Sequence, residues 1–175
     1  RAFYEKRGKK ITDKQVREEY DRETIKLFDP VKPDFLAYAG YVWATTAPIV
    51  NAYIGVNAHP ADLSIEKDGR RAYAGANGVK DALLGGEEEV RSSLHLVTTQ
   101  VDGGPILLIS EPVAVDKNSG MSLEEASRFY LKPLNDMTRK LFPRVVKDLA
   151  EGTYRRDEKG LLYYRDTPIP KGVRL

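Results

Sequence analysis

Two short stretches carry residue types that could do chemistry, Asn57-Ala58-His59-Pro60 and Asp102-Gly103-Gly104-Pro105. An asparagine amide can donate a hydrogen bond to a developing oxyanion. A histidine can move a proton near neutral pH, and an aspartate can hold that histidine or take the proton in turn. Asn57, His59 and Asp102 together would suit attack of an amine or of water on a carbonyl carbon. The same residues also have a plainer reading, because a histidine before a proline at a strand end, like a D-G-G-P run, is ordinary turn chemistry. His59 and His95 are the only imidazoles. The carboxylate spacing around them makes no helix-borne ligand set, so no metal is expected. The chain contains no Walker loop, no G-x-G-x-x-G, no H-E-x-x-H and no G-x-S-x-G, which leaves P-loop phosphoryl transfer and serine-hydrolase chemistry without support.

The elements around these residues read as α/β. Thr12 with Gln15 forms a capping box for a helix whose apolar residues Val16, Tyr20, Ile25, Leu27 and Phe28 fall broadly on one side, ending near Asp29-Pro30. The run "PDFLAYAGY" reads as a buried strand, a short helix follows around Pro48 to Tyr53, and "IGVNAH" is the next strand. Helix, strand, helix, strand is the rhythm of a parallel sheet, in which ligands sit beyond the carboxyl ends of strands. Both candidate stretches fall where a strand should stop. Residues 64–78 are polar and glycine-rich and read as a surface loop, and "VKDALLGG" is a short helix closed by Gly85-Gly86. "SSLHLVTTQV" and "PILLISEPVAV" are β-type runs that can form a hairpin-like pair around "DGG". Ser122 with Glu125 caps a long helical stretch that Pro133 and Pro143 should kink or divide. The tail reads as two short strands around "DEKG".

Composition narrows the partners. At 175 residues the chain fits one domain, with 28 Lys+Arg against 26 Asp+Glu and no long one-sign block, which argues against nucleic acid as the main partner. The absence of cysteine removes disulfides and thiolate chemistry and fits a reducing compartment. No apolar run approaches a membrane span, and the start "RAFYEKRGKK" lacks the apolar core of a signal peptide, so a cytoplasmic protein without membrane contact is expected. The chain opens on Arg1 within a charged segment rather than on methionine, and N-terminal sequence is expected to be missing.

"GVNAHPADLS" resembles the N-x-H-P-S-L-L-P signature of the folate-dependent formyltransferases, and "SSLHLVTTQVDGGPILLISEPVAV" resembles their segment ending in an aspartate, two glycines, a proline and an apolar strand. "PDFLAYAGY" and "LLYYRDTPIPKGVRL" are similar in style, so the likeness runs from about Tyr20 to the C-terminus. The resemblance implies a Rossmann-like α/β fold with a mainly parallel sheet flanked by helices. It makes residues 1–175 a single catalytic domain that lacks its N-terminal strand. It further implies 10-formyltetrahydrofolate as co-substrate, an amine acceptor with glycinamide ribonucleotide, a phosphorylated ribose derivative, as the default, and room for a homodimer. Its catalytic residues fall on Asn57, His59 and Asp102, and its folate contacts on Trp43, Ala44, Thr45, Thr98, Val101 and Gly103. His95, Pro60 and Gly104 become substrate-binding or site-shaping positions.

The chain also departs from that pattern. The family's first strand and its glycine-rich phosphate-binding turn are absent from it. "ADLS" stands in place of "SLLP", and "IEKDGRR" lengthens the loop that follows. Trp43, Ala44 and Thr45 replace an arginine and two aliphatic residues, and Thr138 stands near the place of a glutamate that contacts the acceptor sugar. Hydrolysis of the formyl donor, formylation of a sugar nucleotide, and folate binding without turnover are the alternatives these departures keep open.

Overall fold

The computed structural model describes residues 13–41 and 43–175 together with Gly8 and Lys10. Helix α1 (Lys14–Phe28) begins at Asp13, whose side chain accepts the Val16 N–H. Thr12, expected as the cap, lies outside the described residues. The buried face of α1 differs from the expected apolar stripe: Val16, Arg17 and Asp21 are buried, whereas Leu27 is 75% exposed. An i,i+4 ion pair at 3.0 Å makes the charged pair tolerable there. Asp21 also accepts from the Thr46 N–H at 2.8 Å and its hydroxyl at 2.6 Å, so the carboxylate's lone pairs are used.

Strand β1 (Phe35–Tyr38), helix α2 (Ala47–Ala52, with Pro48 in its first turn) and β2 (Ile54–His59) follow as the sequence predicts. Next comes a departure. Residues 64–78 are not a plain loop, because β3 (Glu66–Lys67) and β4 (Arg70–Arg71) form a hairpin around Asp68-Gly69. Both turn residues have positive φ, 53° and 72°, which is what a two-residue D-G turn requires. The segment is not wholly at the surface either, since Tyr73 is buried.

Helix α3 (Gly78–Leu84) leads through β5 (Glu89–Val90) to β6 (Ser93–Leu96) and β7 (Ile106–Ile109), which pair antiparallel across the 97–105 connection as expected. After β8 (Val113–Ala114) comes α4 (Leu123–Ala150), whose Ser122–Glu125 capping box is formed. The two prolines do not divide it: α4 is one helix of 28 residues. Each proline forfeits a backbone hydrogen bond, but Tyr130, Leu134 and Val145 are buried along the helix, and that burial outweighs the local loss. The tail forms β9 (Tyr154–Arg156), β10 (Leu162–Tyr164) and β11 (Thr167–Pro168), and then β12 (Val173–Arg174) joins the main sheet.

The main sheet has the order β1-β2-β6-β7-β12. β1 and β2 are parallel, β7 and β12 are parallel, and β6 runs antiparallel to both β2 and β7. Four strands therefore share one direction and β6 alone opposes them. One core joins the sheet (Val56, Leu94, Leu107, Leu108) to Val145 of α4 and to Tyr154, Leu162 and Ile169 of the tail. A second packs α3 against α4 through Val79, Ala82, Tyr130 and Leu134. These cores fix the ends of β2 and β6, where the polar residues gather. Among the described residues no helix is long and apolar enough to cross a membrane.

Candidate functional site

The middle of the sheet places the polar residues by register. Asn57 lies opposite Tyr38 of β1 on one side and His95 of β6 on the other, and His59, two residues on, ends β2 opposite Ser93. The 97–105 connection returns Asp102 to the same place. Asp102 Oδ2 lies 3.3 Å from His59 Nδ1, and Asp102 Oδ1 lies 3.4 Å from His95 Nε2. The side chains of His59 and Asp102 are 6% and 9% exposed, so their charges meet little water. The Gly75 N–H donates to Asp102 Oδ2 at 2.8 Å.

Hydrogen-bond chemistry assigns the imidazole protons. A carbonyl can only accept, so the 2.6 Å contact of His59 Nε2 with the Tyr73 carbonyl puts a hydrogen on Nε2. By the same reasoning His95 Nδ1 carries a hydrogen toward the Leu96 carbonyl at 2.9 Å. The remaining nitrogens, His59 Nδ1 and His95 Nε2, both point at one carboxylate. With both rings neutral, two lone pairs face an anion, and His95 Nε2 is buried without a hydrogen-bond partner among the described residues. A proton added at His59 Nδ1 converts its contact with Asp102 into an attraction, so this pair can serve as a proton-holding unit. Burial pushes the His59 imidazole below its ordinary value, with Asp102 and the Tyr73 carbonyl pulling against that shift. Burial also resists ionisation of Asp102, but His95, His59 and the Gly75 N–H outweigh it and hold the carboxyl below its usual range.

These residues line a cavity of about 560 Å³. Of the positions expected to bind folate, Trp43, Ala44, Thr45, Thr98 and Val101 are on its wall, and so are Pro60, His95, Asn57, His59 and Asp102. Trp43 is 46% exposed there rather than tucked into a corner. Thr45 ties the wall together by donating to the Thr98 carbonyl at 3.2 Å. Gly103 and Gly104 are placed differently. Gly103 lines a second, smaller cavity, and a Cβ on Gly104 would meet the Leu96 carbonyl, so Gly104 serves the close approach of the connection to β6. Thr138 lies on the cavity wall with Asn135 from the same face of α4.

Three further residues shape the site without a clear signal in the sequence. Gly78 opens α3 so close to His59 that a Cβ would fall 2.5 Å from Nε2. Tyr73 supplies the carbonyl for His59, while its hydroxyl donates to Glu87 and accepts from Lys67. Arg71 donates to the carbonyls of Asp102 and Gly104. The D-G dipeptide before Arg71 is the one local mark of the hairpin, and its polar flanks hide the strands.

The formyl transferase family matches residues 3–133. The phosphoribosylglycinamide formyltransferase of Escherichia coli K12 is 37% identical over 146 residues, covering 81% of this chain and 61% of that protein. The enzyme of that name from Haemophilus influenzae is 27% identical over 140 residues, covering 79% and 59%. The chain thus spans about three fifths of the length of the curated relatives it matches. Among solved structures, phosphoribosylglycinamide formyltransferase from Coxiella burnetii superposes with a TM-score of 0.74 at 20% identity, covering 91% of this chain and 69% of that one, a likeness of fold.

Proposed function

The chain belongs to the formyl transferase family, and from that premise we propose that it moves a formyl group from 10-formyltetrahydrofolate to an amine, with glycinamide ribonucleotide as the acceptor. The observation that supports this reading most is that Asn57, His59 and Asp102 line one cavity together with the aromatic residues Tyr38, Tyr41 and Trp43. About 560 Å³ with an aromatic side suits a flat heteroaromatic ring system. The relatives' names supply the acceptor.

The donor supplies a formyl carbon open to attack by the acceptor nitrogen. Asn57 donates its amide to the formyl oxygen as negative charge develops there. His59 Nε2–H is already engaged with the Tyr73 carbonyl, so Nδ1 is the nitrogen that lends a proton. A proton at Nδ1 makes the imidazolium, which burial disfavours and Asp102 favours, so that proton is held loosely and can be given up. Asp102 takes up the proton that the acceptor nitrogen releases, directly or through a water, and His95 limits how its carboxylate can turn. Collapse of the tetrahedral intermediate then breaks the bond between the formyl carbon and the donor nitrogen, which leaves as tetrahydrofolate with one proton returned to it from the Asp102–His59 pair. Trp43, Ala44, Thr45, Thr98 and Val101 form the donor's side of the cavity, and residues 1–175 belong to a single catalytic domain.

One observation favours a second reading of the acceptor. The α4 wall of the cavity offers Asn135 and Thr138, an amide and a hydroxyl, and no carboxylate. An uncharged pair would accept the hydroxyls of a different sugar-borne amine equally well.

Release of tetrahydrofolate from 10-formyltetrahydrofolate, measured with and without glycinamide ribonucleotide, tests the reading. Acceptor-dependent release with formation of the formylated amine supports it. Equal release without acceptor makes the chain a hydrolase, and absence of release with the donor still bound sinks the assignment to this acceptor.

A further inference from the structure

The turn that carries Asp102 is held from behind by one side chain. Arg71, the last residue of β4, is not on the wall of the large cavity. It lines the second one, of about 260 Å³, with Gly103, Pro105 and Leu162. From there its guanidinium donates Nη1 to the carbonyl of Asp102 and Nη2 to the carbonyl of Gly104, the latter at 2.7 Å. Asp102 is the residue in this connection that most needs such support. Its φ is 49°, a left-handed conformation sparsely populated by residues other than glycine. The two nitrogens of a planar fork can span two carbonyls of a turn at once, which a lysine ammonium does not reproduce. The Asp68-Gly69 turn in turn delivers Arg71, so the hairpin that lengthens this loop ends on the backbone of the reacting carboxylate.

We propose that Arg71 is a positioning residue for Asp102: its fork fixes the left-handed turn so that the carboxylate meets His59 Nδ1 and the Gly75 N–H, and the β3–β4 hairpin exists in this chain to present it. The effect on rate rests on the formyl-transfer reading, but the placement of Asp102 does not.

Two double-mutant cycles on the intact chain test this, using Arg71→Ala, Asp102→Asn and the double variant, with Arg71→Lys as a substitution that keeps the charge. The first reads the His59 titration by NMR, which is tractable because the chain has only two histidines. The charged groups facing His59 are Asp102, His95 and Arg71. Asp102→Asn should move the His59 titration downward in the wild-type background. In either Arg71 variant the same change should produce roughly a third of that shift or less, because the carboxylate has already left its place. Equal shifts in all backgrounds overturn the proposal. The second cycle reads formyl transfer. Arg71→Ala should lower kcat about tenfold or more with the donor KM within about twofold, and should add nothing in the Asp102→Asn background. Independent, multiplicative losses overturn it. Should the wild-type chain transfer no formyl group, the functional reading fails, and the titration cycle still decides the role of Arg71. Should Arg71→Ala not fold, Arg71→Lys carries both cycles.

Discussion

Gly78 packs against His59 with no room for a side chain: a Cβ on Gly78 would lie 2.5 Å from His59 Nε2 and 3.0 Å from its Cε1. The ring cannot retreat without giving up the Tyr73 carbonyl, and Ala61 closes the same space, its Cβ 3.0 Å from the added carbon. Gly78→Ala should therefore displace the imidazole by a few tenths of an ångström to about 1 Å, which lowers kcat up to about a hundredfold. Donor affinity should stay within about threefold, because the aromatic wall of the cavity is untouched. Kinetics at saturating donor check this, and an unchanged kcat would show that His59 does not work from the position it occupies.

Asn57 and His59 differ from the cavity's other lining residues in where their value should appear. On the formyl-transfer reading both act on charge that develops only as the formyl carbon is attacked, so Asn57→Ala and His59→Ala should each lower kcat by roughly 10²–10³ while donor binding changes little. Asp102→Asn removes the proton acceptor and the His59 partner together, and should cost at least as much. Stopped turnover with intact donor affinity is the expected result. A binding protein without turnover would show no rate to lose in the wild type.

Residue type makes Asn57, His59 and Asp102 candidates and leaves turn chemistry as the plainer reading; the likeness of the N-A-H-P and D-G-G-P runs to the formyltransferase pattern singles them out, and the structure brings His59 and Asp102 together. The antiparallel β6–β7 pair and the Ser122 cap follow directly from local pattern. What stays hidden depends on packing between distant segments. Nothing local marks Gly78 as the floor beneath His59, or Arg71 as the support of Asp102, because their partners lie 19 and 31 residues away. The buried Arg17–Asp21 pair misleads in the same way. Helical periodicity assigns charges to the solvent side, and it is the Thr46 donors and the Tyr41 hydroxyl that make burial there acceptable.

Trp43 is the sole tryptophan, and it stands half-exposed on the cavity wall. Its emission should report donor binding directly, because a folate ring placed against it both excludes water and quenches the indole. Titration with 10-formyltetrahydrofolate should lower and blue-shift the emission in a saturable manner. Trp43→Phe should weaken donor binding by less than about tenfold, the loss being one aromatic contact of roughly 0.5–1.5 kcal/mol. An emission spectrum that ignores saturating donor would move the donor site away from this wall.

The proton-holding unit also predicts how stability responds to acid. The folded-state pKa of His59 is depressed below its ordinary value of 6.5 by burial, so the unfolded chain binds the proton first. Its contribution to stability is complete above that value and is lost as pH falls through the folded pKa. Asp102 is likewise depressed, below 3.8, and its contribution is lost only in stronger acid. The chain should therefore lose stability in two stages on acidification, one beginning near pH 6.5 and one below about pH 4. Asp102→Asn separates them. It removes the carboxylate that favours the imidazolium, so the first stage should deepen, while the second loses the contribution of Asp102. Chemical denaturation across pH 3–8 measures both stages. Identical profiles for wild type and Asp102→Asn would mean that the carboxylate and the imidazole are not coupled in the folded protein.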